Sequence, residues 1–158
     1  MNRKKKIITY PHPILIAQSQ PVEEINQEIL DILDEMTLIM KTNNGIGLAA
    51  PQIGISKRLI TVFLNEKNYQ VINPKISWQI GSQNGTEGCL SLPNQMYEVN
   101  RSNEVVIEGI TPEEKEISLL RNGLLARVFQ HEIDHLDGIL INTRGTFVAS
   151  KENNIGNL

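Results

Sequence analysis

The 158-residue chain is long enough to bury a core of its own, and its 40 % hydrophobic and 21 % charged residues are ordinary for a globular protein. A net charge of −3 gives no support for a nucleic-acid partner, and no apolar run approaches the roughly 20 residues that a membrane-spanning helix needs. The single cysteine, Cys89, excludes an intramolecular disulfide framework and points to a reducing, cytoplasmic setting.

Met1-Asn2-Arg3-Lys4-Lys5-Lys6 reads as a solvated basic start, because Ile7-Ile8 gives way at once to Thr9-Tyr10-Pro11 and not to a secretory apolar core. Tyr10-Pro11-His12-Pro13 is extended or turning, since each proline disfavours helix in the residue before it, and His12 is a surface loop residue. Pro21-Val22-Glu23-Glu24 opens a helix that Ile25, Ile29, Ile32, Leu33, Met36, Ile39 and Met40 continue at helical spacing to about Lys41. Asn43-Asn44-Gly45 ends it.

Gly45-Ile46-Gly47-Leu48-Ala49-Ala50-Pro51-Gln52 lacks both the third glycine of a dinucleotide loop and the Lys-Ser or Lys-Thr of a phosphate loop. It is either a tight loop against the core or a wall where a substrate backbone comes close, and the polar Gln52 favours the second. From Lys57 the pattern is β: Arg58–Leu64, Tyr69–Asn73 and Lys75–Ile80 are strands, with a turn at Asn65–Asn68 and a break at Asn73-Pro74. Gly81–Gly85 is a polar loop. Asn103–Ile110 and Lys115–Leu120 form a second hairpin, Ile139–Asn142 is a short strand, and the tail from about Ser150 is polar and frayed.

The chemistry concentrates in Gln130-His131-Glu132-Ile133-Asp134-His135-Leu136-Asp137-Gly138. Leu124, Leu125, Val128, Phe129, Ile133 and Leu136 recur at helical spacing, and Gly138 is a natural stop. On a helix His131 and His135 share one face, where two imidazoles reach one ion and Glu132 can take a proton from bound water. The ordinary alternative is an amphipathic helix with hydrogen-bonded histidines, so a third ligand is needed. Cys89, in Thr86-Glu87-Gly88-Cys89-Leu90-Ser91-Leu92-Pro93, is either a small buried hydrophobe or that ligand.

Gly45-Ile46-Gly47-Leu48-Ala49-Ala50-Pro51-Gln52, Glu87-Gly88-Cys89-Leu90-Ser91 and Gln130-His131-Glu132-Ile133-Asp134-His135-Leu136 stand in this order and at these separations, and together they resemble the three motifs of the peptide deformylases. The likeness runs from about Ile7 to Ile141. It implies that Cys89, His131 and His135 bind one divalent metal, Fe(II) in this family, with Zn, Ni or Co able to take its place. It implies Glu132 as general acid/base, with the Gln52 amide and the Leu90 backbone N–H stabilising the oxyanion. Metal-bound hydroxide would attack the formyl carbon of an N-formylmethionyl peptide and release formate.

The peptide would lie extended beside Gly45-Ile46-Gly47 and Cys89-Leu90, with Ile46, Gly47, Leu124 and Val128 as candidates for methionine binding. Glu87, Arg101 and Asp134 are candidates for orienting the ligands. Nascent chains are the expected partners, the ribosome is a further candidate, and neither nucleic acid nor membrane is indicated. The expected form is a cytoplasmic monomer of one catalytic domain over residues 1–158, an organellar setting staying open. The expected fold is α+β, with small antiparallel sheets around the central helix and an N-terminal amphipathic helix.

Departures from the family pattern are His12 for a common aspartate, Ile16 for a common arginine and Met96 for an arginine that some members carry near the substrate. A long C-terminal helix is not expected in the 20 residues after Gly138. The leading alternative is a zinc endopeptidase, but Ile141 occupies the last position of His-Glu-x-x-His-x-x-Gly-x-x-His. A further alternative is an inactive relative that only binds formylmethionyl peptides or the ribosome.

Overall fold

The protein is described by a computed structural model over residues 5–150 and 157–158. Its first helix, α1 (Gln27–Thr42), begins later than Pro21 because the Asn26 side chain accepts the Ile29 N–H at 3.1 Å and so takes the cap position. Ile29, Ile32, Leu33, Met36 and Met40 form its buried stripe, at the spacing the sequence predicts. The strands follow as β1 (Gly47–Ala49), β2 (Leu59–Leu64), β3 (Lys67–Ile80), β4 (Gln83–Cys89), β5 (Leu92–Arg101), β6 (Glu104–Ile110), β7 (Glu116–Asn122) and, past two helices, β8 (Thr146–Ser150).

All pairings within the two sheets are antiparallel: one sheet runs β1-β2-β3-β6-β7, the other β4-β5-β8. Asn65 and Glu66, both at positive φ, make the two-residue turn between β2 and β3. The expected break at Asn73-Pro74 is instead a bulge inside one long strand. The register slips between Ile72 and Lys75, and so leaves the proline, which has no N–H, out of the ladder. The predicted loop at Gly81–Gly85 shrinks to a turn, with β4 starting at Gln83.

Helix α2 (Gly123–Leu136) carries the His-Glu-x-x-His motif and ends before Gly138, whose φ of 73° fits the left-handed cap. Ala126, Val128, Phe129, Ile133 and Leu136 pack with Ile60, Val62, Val71, Val105 and Ile107 of the larger sheet. α1 fills a second cluster with Leu48, Leu59 and Ile72. The strand predicted over Ile139–Asn142 is overturned: Leu140 caps a short helix, α3 (Ile141–Arg144). An apolar run of that length fits either state, and periodicity cannot decide.

The fold is thus α+β, with antiparallel sheets around the motif helix and an amphipathic helix ahead of them. The tail expected to fray falls on 151–156, outside the described residues. Asn157 and Leu158 depart from that expectation: Asn157 bridges in parallel to Gly45 and to Gly88. No helix among the described residues is long and apolar enough to cross a membrane.

Candidate active site

Four residues apart on α2, His131 and His135 point the same way, with ring centroids 5.0 Å apart. Cys89 closes β4, where the register with β5 slips between Glu87 and Cys89, and its Sγ lies 3.3 Å from His135 Nε2. The potential ligand atoms of Cys89, His131 and His135 all fall within 4.8 Å of one another, and all three residues are buried. Two sequence segments more than forty positions apart therefore meet as one donor set.

His131 Nδ1 lies 2.8 Å from Glu87 Oε1, so a proton on Nδ1 leaves Nε2 free to ligate. That Nε2 is buried without a hydrogen-bond partner, as are both carboxylate oxygens of Glu132. Buried polar atoms are seldom left alone. A cation at the Cys89-His131-His135 donor set accounts for the free Nε2 and neutralises the region beside Glu132. The residues present therefore fit a metal.

The electrostatics show what an ion there would have to offset. Burial pushes the Cys89 thiol up to about 12, and the neighbouring charge of Glu132 adds to the shift. Burial, reinforced by His131, lowers His135 well below the usual histidine range, keeping its imidazole in the neutral state a ligand needs. Burial also raises Glu132 well above the usual carboxylate range; Arg101 opposes the shift, while Glu87 and Asp134 support it. Glu87 goes the other way. Burial would raise it, but hydrogen bonds from Arg101 and His131 outweigh that and hold it well below the carboxylate range.

Glu87 is the hub of this network. Arg101 donates to its two oxygens at 2.9 Å each, Arg127 pairs with Oε2, and Arg101 also pairs with Asp134. The candidates Glu87, Arg101 and Asp134 are therefore brought together around His131. Arg127 was missed by the sequence reading, although it lies one turn before His131 on the same helix face. That spacing was the available signal.

Gln52, buried in a 3-10 turn (Ala50–Ile53), accepts the Ala49 N–H through Oε1 at 3.0 Å. Its amide nitrogen faces Ser91 Oγ at 3.1 Å and Cys89 Sγ at 3.7 Å, so its donors sit beside the ligand cluster. Leu90 follows Cys89 and is partly buried against the α1 cluster. Gly47 abuts Glu132 so closely that a Cβ there would lie 2.4 Å from Oε1. Ile46 packs against the cluster that contains the buried Val128. Leu124, on the first turn of α2, is 50 % exposed and lines a surface cleft with Leu64 and Leu120.

His12 takes no part. It is exposed and accepts the Ile14 N–H at 3.2 Å, capping a turn. Met96 is buried on β5. Ile141, where a zinc endopeptidase of the extended motif would have its third histidine, is buried in the apolar cluster around Leu15 and offers no ligand atom.

A strand cysteine and two helix histidines beside a buried glutamate mark out a metal-dependent hydrolase. Residues 4–151 match the family model described as polypeptide deformylase. The chain is 47 % identical over 135 residues to a peptide deformylase of Syntrophomonas wolfei, covering 85 % of this chain and 89 % of the relative. It is 42 % identical over 146 residues to one of Carboxydothermus hydrogenoformans, covering 92 % and 96 %. The solved peptide deformylase of Thermotoga maritima superposes with a TM-score of 0.89 at 32 % identity, covering 92 % of this chain and 99 % of that one. The chain belongs to the polypeptide deformylase family.

Proposed function

We propose that the chain removes the formyl group from the N-formylmethionyl end of newly made polypeptides and releases formate. It does so as a cytoplasmic monomer, with residues 1–158 as one catalytic domain. One observation carries the reading: the donor atoms of Cys89, His131 and His135 lie within 4.8 Å of one another, beside a Glu132 with neither oxygen partnered.

Cys89 Sγ and the Nε2 atoms of His131 and His135 would hold the divalent ion, Fe(II), with Zn, Ni or Co as substitutes. When bound, the ion supplies Lewis acidity that makes water a usable nucleophile near neutral pH. Glu132 takes a proton from the attacking water and delivers it to the amine that leaves. The side-chain amide of Gln52 and the backbone N–H of Leu90 stabilise the negative charge that develops on the formyl oxygen, each worth about 3 kcal/mol. Gln52 can do this because its own oxygen is fixed by the Ala49 N–H at 3.0 Å, leaving the amide nitrogen turned towards Cys89. Ile46, Gly47, Leu124 and Val128 receive the methionine.

The test is formate release from formyl-Met-Ala-Ser by anaerobic Fe(II)-loaded protein, with Glu132→Ala as control. Release by the unaltered chain alone supports the reading. No release from protein shown to carry one ion per chain refutes it.

A further inference from the structure

Each sheet ends in a free edge at the site, since β1 pairs only with β2 and β4 only with β5. Among the described residues the space between those edges is taken by the chain itself. The Ile46 N–H donates to the Asn157 carbonyl at 3.1 Å, and the Leu158 N–H donates to the Gly88 carbonyl at 3.2 Å. Asn157 thereby pairs in parallel with both Gly45 and Gly88. The Leu158 side chain is 5 % exposed and belongs to the apolar cluster of Val128, against which Ile46 also packs.

These main-chain groups flank the chemistry. Gly88 precedes Cys89, and Ile46 precedes Gly47, which abuts Glu132. An extended peptide that brings its N-terminal end to the ligand cluster must run between the same two edges and use the same donors and acceptors. Leucine also replaces methionine in a packed site at little cost in volume.

Resting on the function proposed above, we propose that Asn157–Leu158 is a built-in competitor for the peptide seat. An incoming formylated chain enters by displacing it. Two hydrogen bonds and one apolar side chain form a hold that a longer peptide, pairing with the same edges, can exceed.

The test uses full-length Fe(II)-loaded protein and formyl-Met-Ala-Ser, comparing the unaltered chain with Leu158→Asp. KM should fall about tenfold at unchanged kcat, because a charge in place of a buried leucine abolishes most of the hold. By amide hydrogen exchange, Ile46 should lose protection in Leu158→Asp without peptide and regain it with peptide. In the unaltered chain, saturating peptide should expose the Leu158 amide. Leu158→Ala serves if the aspartate variant fails to fold, with an expected fall in KM of about threefold.

Unchanged KM together with unchanged Ile46 exchange overturns the proposal, as does a lower kcat with a lower melting temperature, which would make the segment scaffold. If neither protein releases formate, the functional reading fails separately. Exchange then decides alone, and a Leu158 amide still protected at saturating peptide overturns the competition.

Discussion

Replacing Gly47 by alanine probes how closely Glu132, the proposed acid/base, is held. A Cβ at this position would stand 2.4 Å from Glu132 Oε1, 2.8 Å from Cδ and 2.9 Å from Cγ, where ordinary contact begins at 3.4 Å. Gly47 is not among the residues at positive φ, so alanine meets no backbone strain there. The cost falls on the carboxylate. Glu132 is fully buried and β1 is held by β2, so the side chain must retreat by about 1 Å. A displacement of that size in a catalytic group lowers kcat by about 10²-fold, or about 2.7 kcal/mol of barrier. The assay is formate release alongside metal analysis. Metal content should stay at the unaltered level, because no ligand atom is touched. A kcat within twofold of the unaltered chain with full metal would refute the argument, and a rise in KM alone would show that the added methyl meets the substrate and leaves the base in place.

Three further outcomes are expected. Arg127→Met removes one partner of the buried Glu87 and should cost about 3 kcal/mol in urea unfolding, at the low end for breaking a buried pair because Arg101 remains. The folded Glu87 titrates below its unfolded value, so it contributes stability above the usual carboxylate range and loses it as pH falls towards the folded value. The stability gap between the unaltered chain and Glu87→Gln should therefore be constant near neutrality and narrow in acid, and a gap that widens in acid would contradict the assignment. Removing the ion with a chelator should lower Tm by about 10 °C relative to protein with the ion at about a thousand times its Kd. Re-addition should restore it, as differential scanning calorimetry would show.

The α2 helix was legible because its apolar residues repeat at 3.6 and Gly138 stops it. The pairing of His131 with His135 followed from geometry alone. Cys89 was not legible in that way. Its nearness to His135 depends on where β4 ends relative to α2, and residue spacing carries no such information, so the resemblance supplied it. β5 was missed since it opens on Leu92-Pro93-Asn94, with Asn94 at positive φ, and mixes exposed and buried residues without clean alternation. β4 was read as loop over Gln83–Gly85 because that part is only partly buried and polar. The late start of α1 turned on one capping bond from Asn26, which outweighed the proline and acidic residues before it. Arg127 was legible only as an anomaly, a charge on the His131 face of an otherwise apolar stretch.

The Glu87 hub has a consequence for supply. It joins β4, β5 and α2 through Arg101, Arg127 and His131, and Asp134 extends the frame to α3 through Arg144. Apart from His131 itself, these groups lie on the far side of its ring from the free Nε2, and none needs an ion as a neighbour. The frame therefore behaves as one wall of a socket: the His131 imidazole is aimed beforehand, and an ion would enter without that wall refolding around it. Which ion would occupy it is then set by availability and ligand softness together with the donor geometry. A copy stripped of its ion could be refilled in place.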